Sequence, residues 1–386
     1  MSNLIVRNGN LLMPDGSWNL TDLLVEDGRI TQIGPIGRQY DGPVWDAAGD
    51  PIVPGFIDVH LHGGAGFDVL DGTKAALDGL AAHLAASGVT GYLATTVATP
   101  EAQLMPLLEQ ARLGAPALLG LHIEGSFINP AKAGAQDAEA LLPNSGALMD
   151  RWQAASGNAI RWVTVAPEML APADLHDMAG RGIILALGHS LCSYEEALLA
   201  IDDGIRHFTH LFNANPPLHH RDPGLVLAGL LDPRATVELI LDDHHLHPRL
   251  LDLAYRLKGE DGVMLVTDAI PATGLPPGRY CLGRLPVITD GETARLTNGT
   301  LAGSLLTMDR AIRMAIGLGI PPAAVLAMAT RTPAKRLKLT DRGVLAEGAW
   351  GDLVWLDSHW RVRATARQGK VVWSRTPATT PIAAEA

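Results

Sequence analysis

The chain has 386 residues, of which 47% are hydrophobic and 18% charged, so it can bury a large core and suits two domains or one (β/α)8 barrel with an appendage. A formal net charge of −11 argues against nucleic acid or an anionic membrane as partner, and no apolar run approaches the ~20 residues that span a bilayer. With only Cys192 and Cys281 present, a disulfide framework is not expected and cysteine-based zinc knuckles are excluded.

The N-terminus, MSNLIVRNGNLLMPDG, lacks a basic segment followed by an apolar stretch and a small-residue cleavage site. It reads as unprocessed, and a cytoplasmic location is expected. Leu4 to Arg7, Leu11 to Met13, Asp22 to Glu26 and Ile30 to Ile33 read as short strands, punctuated by Asn8-Gly9-Asn10, Pro14-Asp15-Gly16 and Asp27-Gly28. The far end is alike, with strands expected at Gly351 to Leu356 and Lys370 to Trp373. Residues 1–52 and 336–386 are therefore expected to form one small β-sandwich domain from both termini, around a (β/α)8 TIM-like barrel of residues 53–335. The tail after Arg375 is small and polar and is expected to fray.

The middle of the chain alternates apolar strands with amphipathic helices. Leu77, Leu80, Ala81 and Leu84 share one helical face, and Gly88 supplies a stop. Ser193 and Glu196 have capping-box spacing ahead of Ala197, Leu198 and Ile201, with Gly204 as the end. Eight strands are predicted: 52–61, 89–96, 118–124, 162–166, 183–188, 207–212, 236–241 and 263–268. That many βα units favour a closed parallel barrel over an open sheet.

In such a barrel the active groups project from the carboxyl ends of the strands. Strand one ends in His60-Leu61-His62, whose imidazoles point the same way because side chains alternate along a strand. Strand three ends at Glu124, five at His189, six at His210 and eight at Asp268. A lone strand-end histidine is more often a hydrogen-bonded or surface residue than a ligand. Four histidines, a glutamate and an aspartate at five strand ends instead describe a site for divalent metal. The set is free of cysteine, which suits zinc, iron or manganese better than a thiolate-demanding ion. His83, His176, His207 and His359 are read as surface or second-layer residues, and His122 as a support for Glu124. Cys192 is not read as a nucleophile, and no nucleophile elbow or Walker loop is present.

The stretch Pro54-Gly55-Phe56-Ile57-Asp58-Val59-His60-Leu61-His62-Gly63 resembles the strand-one signature of the amidohydrolase superfamily. Gly120 to Gly125, Gly188-His189-Ser190, Thr209 to Ala214, Leu265 to Ala269 and Gly303 to Met308 narrow the likeness to the N-acetylglucosamine-6-phosphate deacetylase family, over nearly the whole chain. The resemblance implies a metal-dependent deacetylase for a small-molecule amino-sugar phosphate. It implies that Glu124, His189 and His210 hold one ion, that His60 and His62 help hold a second with Glu124 bridging, and that Asp268 is the general acid/base. Substrate contacts map onto Gln136, Asn213, Ala214, Arg221 and His245, and the resemblance implies a homodimer.

The departures cluster around the substrate. Ser126 stands where the family has proline, Gln136 where it has a substrate-contacting histidine, and Asn215 where it has methionine; Asp243 adds an acid. They motivate a first alternative, a deacetylase of N-acetylgalactosamine 6-phosphate or another N-acyl compound. A catalytically inactive scaffold is the remote one, opposed by retention of the whole ligand set.

Overall fold

The computed structural model describes residues 3–37, 42–143 and 146–375. The tail expected to fray lies outside the described residues. The chain divides into two compact units: Met1–Ile57 with Ala82–Gly91 and Met308–Ala386, and Asp58–Ala81 with Tyr92–Thr307.

Eight parallel strands make the barrel: β1 (Phe56–Leu61), β2 (Val89–Thr95), β3 (Leu118–Phe127), β4 (Ile160–Val165), β5 (Ile184–Leu187), β6 (His207–Phe208), β7 (Thr236–Ile240) and β8 (Val263–Val266). They pair in chain order, and a parallel bridge from Leu61 to Ala269 joins last to first. Most of their residues are buried, as expected of parallel strands covered on both faces. Helices alternate with the strands. Lys74–Ala85 buries Leu77, Leu80 and Leu84, each worth about 1.5–3 kcal/mol if fully removed from water. Helix Tyr194–Asp202 starts on the expected capping box, in which the Glu196 N–H donates to Ser193 Oγ and the Ser193 N–H to Glu196 Oε2.

The terminal strands form one continuous sheet, in the order Lys370–Ser374, Val362–Arg367, Leu353–Leu356, Pro51–Pro54, Leu4–Leu12, Trp18–Glu26, Arg29–Ile33, with Val44–Asp46 also paired to Leu4–Leu12. Leu4, Leu23, Ile52, Trp45, Leu353 and Ala366 share one core, so the sheet folds over on itself and the layers of the sandwich are joined rather than separate.

Three expectations are corrected. The predicted strand 52–61 is two strands, because Gly55 interrupts it. Its N–H donates to Asp352 O, and a Cβ there would meet Thr90 Oγ1 at 2.0 Å. Leu4–Leu12 is one strand, with Asn8 at φ 51 absorbing an irregularity where a turn was predicted. Strand six stops at Phe208, well short of 212, because His210 (φ 27) and Phe212 (φ 80) leave extended geometry. A three-stranded antiparallel sheet, Gly278–Leu282, Leu285–Thr289 and Ala294–Leu296, follows β8 and was not anticipated.

Candidate metal centre

All six predicted chemical residues meet at the carboxyl end of the barrel. Glu124 is the hub. Its Oε1 lies 3.1 Å from His210 Nε2, 3.4 Å from His189 Nε2 and 3.5 Å from His60 Nε2, and its Oε2 lies 3.6 Å from His62 Nε2. Asp268 Oδ1 is 2.9 Å from His62 Nε2 and 3.7 Å from His60 Nε2. His189 and His210 present their Nε2 atoms to each other at 3.1 Å.

The other ring nitrogens are mostly committed elsewhere, which fixes the tautomers. His62 Nδ1 donates to Thr95 O at 3.0 Å and His189 Nδ1 to Lys132 O at 2.8 Å. His60 Nδ1 faces Glu238 Oε2 at 2.9 Å. The Nε2 atoms of these three are thereby left with their lone pairs facing inward, and His60 Nε2 is buried without a hydrogen-bond partner. Two imidazole nitrogens facing each other beside a carboxylate are stable only with a cation or a proton between them. The donors fall into two overlapping groups within metal-binding reach, His60–His62–Glu124 and Glu124–His189–His210. The residues present therefore fit one or two divalent ions, with Glu124 common to both positions.

Burial opposes the charged form of His60, yet Glu124 and Glu238 outweigh it and hold the imidazole well above its ordinary pKa. Burial would raise the carboxyl of Glu124, but His60 and the hydrogen bonds from His189 and His210 hold it well below. For Asp268 the bond from His62 and the charge of His60 likewise overcome burial, so it is anionic at neutral pH. His122, by contrast, is pushed down to about 3 by burial and the nearby charge of His60. It is neutral, donating to Val59 O and accepting from Thr164 Oγ1, so these bonds run to β1 and β4 rather than to Glu124.

Three of these residues, His189 (φ 49), His210 (φ 27) and Asp268 (φ 51), have left-handed backbone, a conformation that costs non-glycine residues on the order of 1–3 kcal/mol. The turn it produces at the strand end swings each side chain over the barrel mouth.

Sequence reasoning missed Glu238. It is fully buried on β7, where it faces His60 Nδ1 and His207 Nε2 and accepts from the His210 backbone N–H, tying the two ligand groups together. The available signal was a lone carboxylate inside the apolar run Val237-Glu238-Leu239-Ile240. His207 proves to be a buried second-layer residue, whereas His176 and His359 lie exposed and His83 is partly exposed.

A cavity of about 330 Å³ opens over the centre, lined by His62, Glu124, His189, His210 and Asp268. The expected substrate contacts Gln136, Asn213, Ala214 and His245 also line it. His245 is anchored to Asp242 Oδ2 at 2.7 Å, and although burial opposes its charged form, Asp242 raises its pKa. Arg221 is not among the lining residues. It is exposed and its guanidinium bonds His220 at 2.7 Å.

The model of the amidohydrolase family matches residues 52–376, most of the chain. The chain belongs to the amidohydrolase family. Within that family it is 36% identical over 384 residues to the N-acetylglucosamine-6-phosphate deacetylase of Lysinibacillus sphaericus, covering 95% of this chain and 97% of the relative. It is 35% identical to the N-acetylgalactosamine-6-phosphate deacetylase of Escherichia coli, covering 95% and 98%. Among solved structures, an Asp-to-Ala variant of the Mycobacterium smegmatis N-acetyl-D-glucosamine-6-phosphate deacetylase in complex with N-acetyl-D-glucosamine-6-phosphate superposes with a TM-score of 0.89. That protein is 30% identical, and the match covers 96% of this amidohydrolase and all of the other chain.

Proposed function

We propose that the protein is a metal-dependent deacetylase that hydrolyses the N-acetyl group of N-acetylglucosamine 6-phosphate to glucosamine 6-phosphate and acetate. The observation that carries this reading is the pair of ligand groups sharing Glu124, with Asp268 beside them, at the floor of a cavity of sugar-sized volume.

An amide resists water because water is a weak nucleophile and an amine a poor leaving group. A bound divalent ion supplies Lewis acidity, polarising the acetyl carbonyl and acidifying water. His60, His62, Glu124, His189 and His210 hold one or two such ions. Zinc fits this nitrogen–oxygen donor set best, and iron or manganese fit the same donors. Asp268 is anionic and placed by His62. Its carboxylate takes the proton of the attacking water and returns it to the sugar nitrogen as the C–N bond breaks.

The sugar phosphate extends outward over Asn213, Ala214 and His245, with Arg221 as the phosphate clamp. Arg221 lies outside the cavity of one chain, so this role requires the homodimer that the resemblance implies, with Arg221 reaching a partner's site. Among the described residues no helix is long and apolar enough to cross a membrane; a cytoplasmic location is part of this proposal. The organisation that goes with this activity is a barrel of residues 53–335 carrying a domain of 1–52 and 336–386.

The test is a deacetylation assay on N-acetylglucosamine and N-acetylgalactosamine, each with and without 6-phosphate, on protein loaded with zinc, iron or manganese. The phosphorylated glucosamine derivative is expected to give the highest kcat/KM. A preference for the galactosamine derivative would move the reading to the first alternative, the activity named for the Escherichia coli relative. No metal-dependent release of acetate from any of the four would sink it.

A further inference from the structure

Glu124 is held from a strand that contributes no ligand. At the end of β2, Thr96 Oγ1 accepts from the Glu124 N–H at 3.0 Å and donates to Glu124 O at 2.9 Å, pinning the backbone. Ala98, two residues on, reaches the side chain through an intermediary. Its N–H donates to Gln136 Oε1 at 2.6 Å, and Gln136 Nε2 donates to Glu124 Oε2 at 2.8 Å. The backbone N–H settles the amide orientation: the oxygen of Gln136 must face Ala98, so the nitrogen must face Glu124. The relay is packed tightly. Gly125 sits at φ +91, and a Cβ there would lie 2.5 Å from Gln136 Oε1 and 2.2 Å from Ala98 N. Gln136 is itself only 8% exposed, although it borders the cavity.

A substrate-contacting residue would keep a polar end free for the ligand. Here Oε1 and one of the two N–H groups of Nε2 are taken by the protein, which leaves at most a single N–H for a ligand. The bond to Oε2 also fixes the plane of the carboxylate, which aims Oε1 at His189 and His210.

We propose that Gln136 is a positioning residue of the metal centre, which acts by bridging the Ala98 amide and Glu124 Oε2 and thereby orienting Glu124 as a ligand. The inference rests on the metal-dependent reading given above and replaces the substrate-contact role carried over from the resemblance. Supports of this kind, when removed, lower metal affinity about 10–100-fold.

The test compares wild type with Gln136→Leu. The measurements are zinc affinity by chelator competition, the visible spectrum of the cobalt(II)-loaded protein, and KM and kcat at saturating zinc. The expected result is zinc affinity weakened by about 10–100-fold, an altered cobalt spectrum, and a KM at saturating zinc within about twofold of wild type. Gln136→Asn, one methylene too short to span both partners, carries the same expectation if the leucine variant does not fold. Unchanged zinc affinity and spectrum, or a raised KM as the sole effect, would overturn the proposal and return Gln136 to substrate contact. A wild type that retains no ion would remove the metal-dependent reading itself, a failure distinct from normal wild-type binding with unchanged variants.

Discussion

In and just beneath the floor of the cavity His60, His62, Glu124, His189 and His210 are each at most 4% exposed, and each is held by at least one bond from outside this set. Arg221 lies outside the cavity lining, exposed, with its guanidinium on the adjacent His220. Among the described residues that line the cavity there is no lysine or arginine at all. The floor is therefore complete within one chain, whereas a phosphate at the rim finds no guanidinium or ammonium there. In a chain of net charge −11 an anionic ligand there would rest on local positive charge, and His245, whose pKa Asp242 raises, is one such lining group. Chemistry and recognition are thus separable, and substitutions should fall into two kinetic classes.

The largest effect is expected at the floor. Asp268→Asn should retain its metal and lose on the order of 10²–10⁴-fold in kcat, because the amide is nearly isosteric but cannot accept a proton. Wild-type turnover in the metal-loaded variant would take Asp268 out of the mechanism. Next comes the hub. Glu124→Gln should bind metal worse than His60→Asn after dialysis, since Glu124 approaches all four histidines while His60 serves one group. If His60→Asn strips all the metal and Glu124→Gln strips none, the shared-ligand assignment is wrong.

The rim should respond differently. Arg221→Ala is expected to raise KM for the phosphorylated sugar about 10–100-fold, the worth of a charge-assisted bond of roughly 1.5–3 kcal/mol. Its kcat should hardly change, because the contact is remote from the amide. The unphosphorylated sugar is the control: equal weakening of both compounds would show that Arg221 is no phosphate clamp and would blur the division between floor and rim. The smallest effect is expected at Cys192. Burial, together with the neighbouring carboxylate of Glu168, pushes its thiol up to about 12, and it is 1% exposed. Alkylation of the native protein should therefore label Cys281 and leave both Cys192 and activity untouched. Loss of activity tracking modification of Cys192 would place it in the mechanism after all.

The same division governs how much the sequence discloses. His60, His62, Glu124, His189, His210 and Asp268 were legible because a parallel barrel sends its chemistry to strand ends, where these residue types interrupt apolar runs. Glu238 sits within a strand rather than at its end, so position did not mark it. The link from Gln136 to Glu124 crosses a loop and depends on the backbone N–H of Ala98, which no pattern of residue types encodes. The strand lengths went astray for a local reason: the left-handed turns at His210 and Asp268 end pairing where hydrophobicity would continue it. The position of Arg221 was not legible, because motif spacing places a loop in the chain and not over a cavity.

One further consequence lies in the seam of the barrel. Asp268 N–H donates to His60 O at 2.8 Å, Thr267 Oγ1 donates to Asp58 Oδ2 at 2.6 Å, and the N–H groups of His62 and Gly63 both donate to Ala269 O. Asp268 and the His60–His62 pair thus belong to strands some 200 residues apart in the chain. Closing so long a loop is entropically late work in folding. During synthesis, the chain must be made past Asp268 before the His60–His62 group can acquire its neighbour.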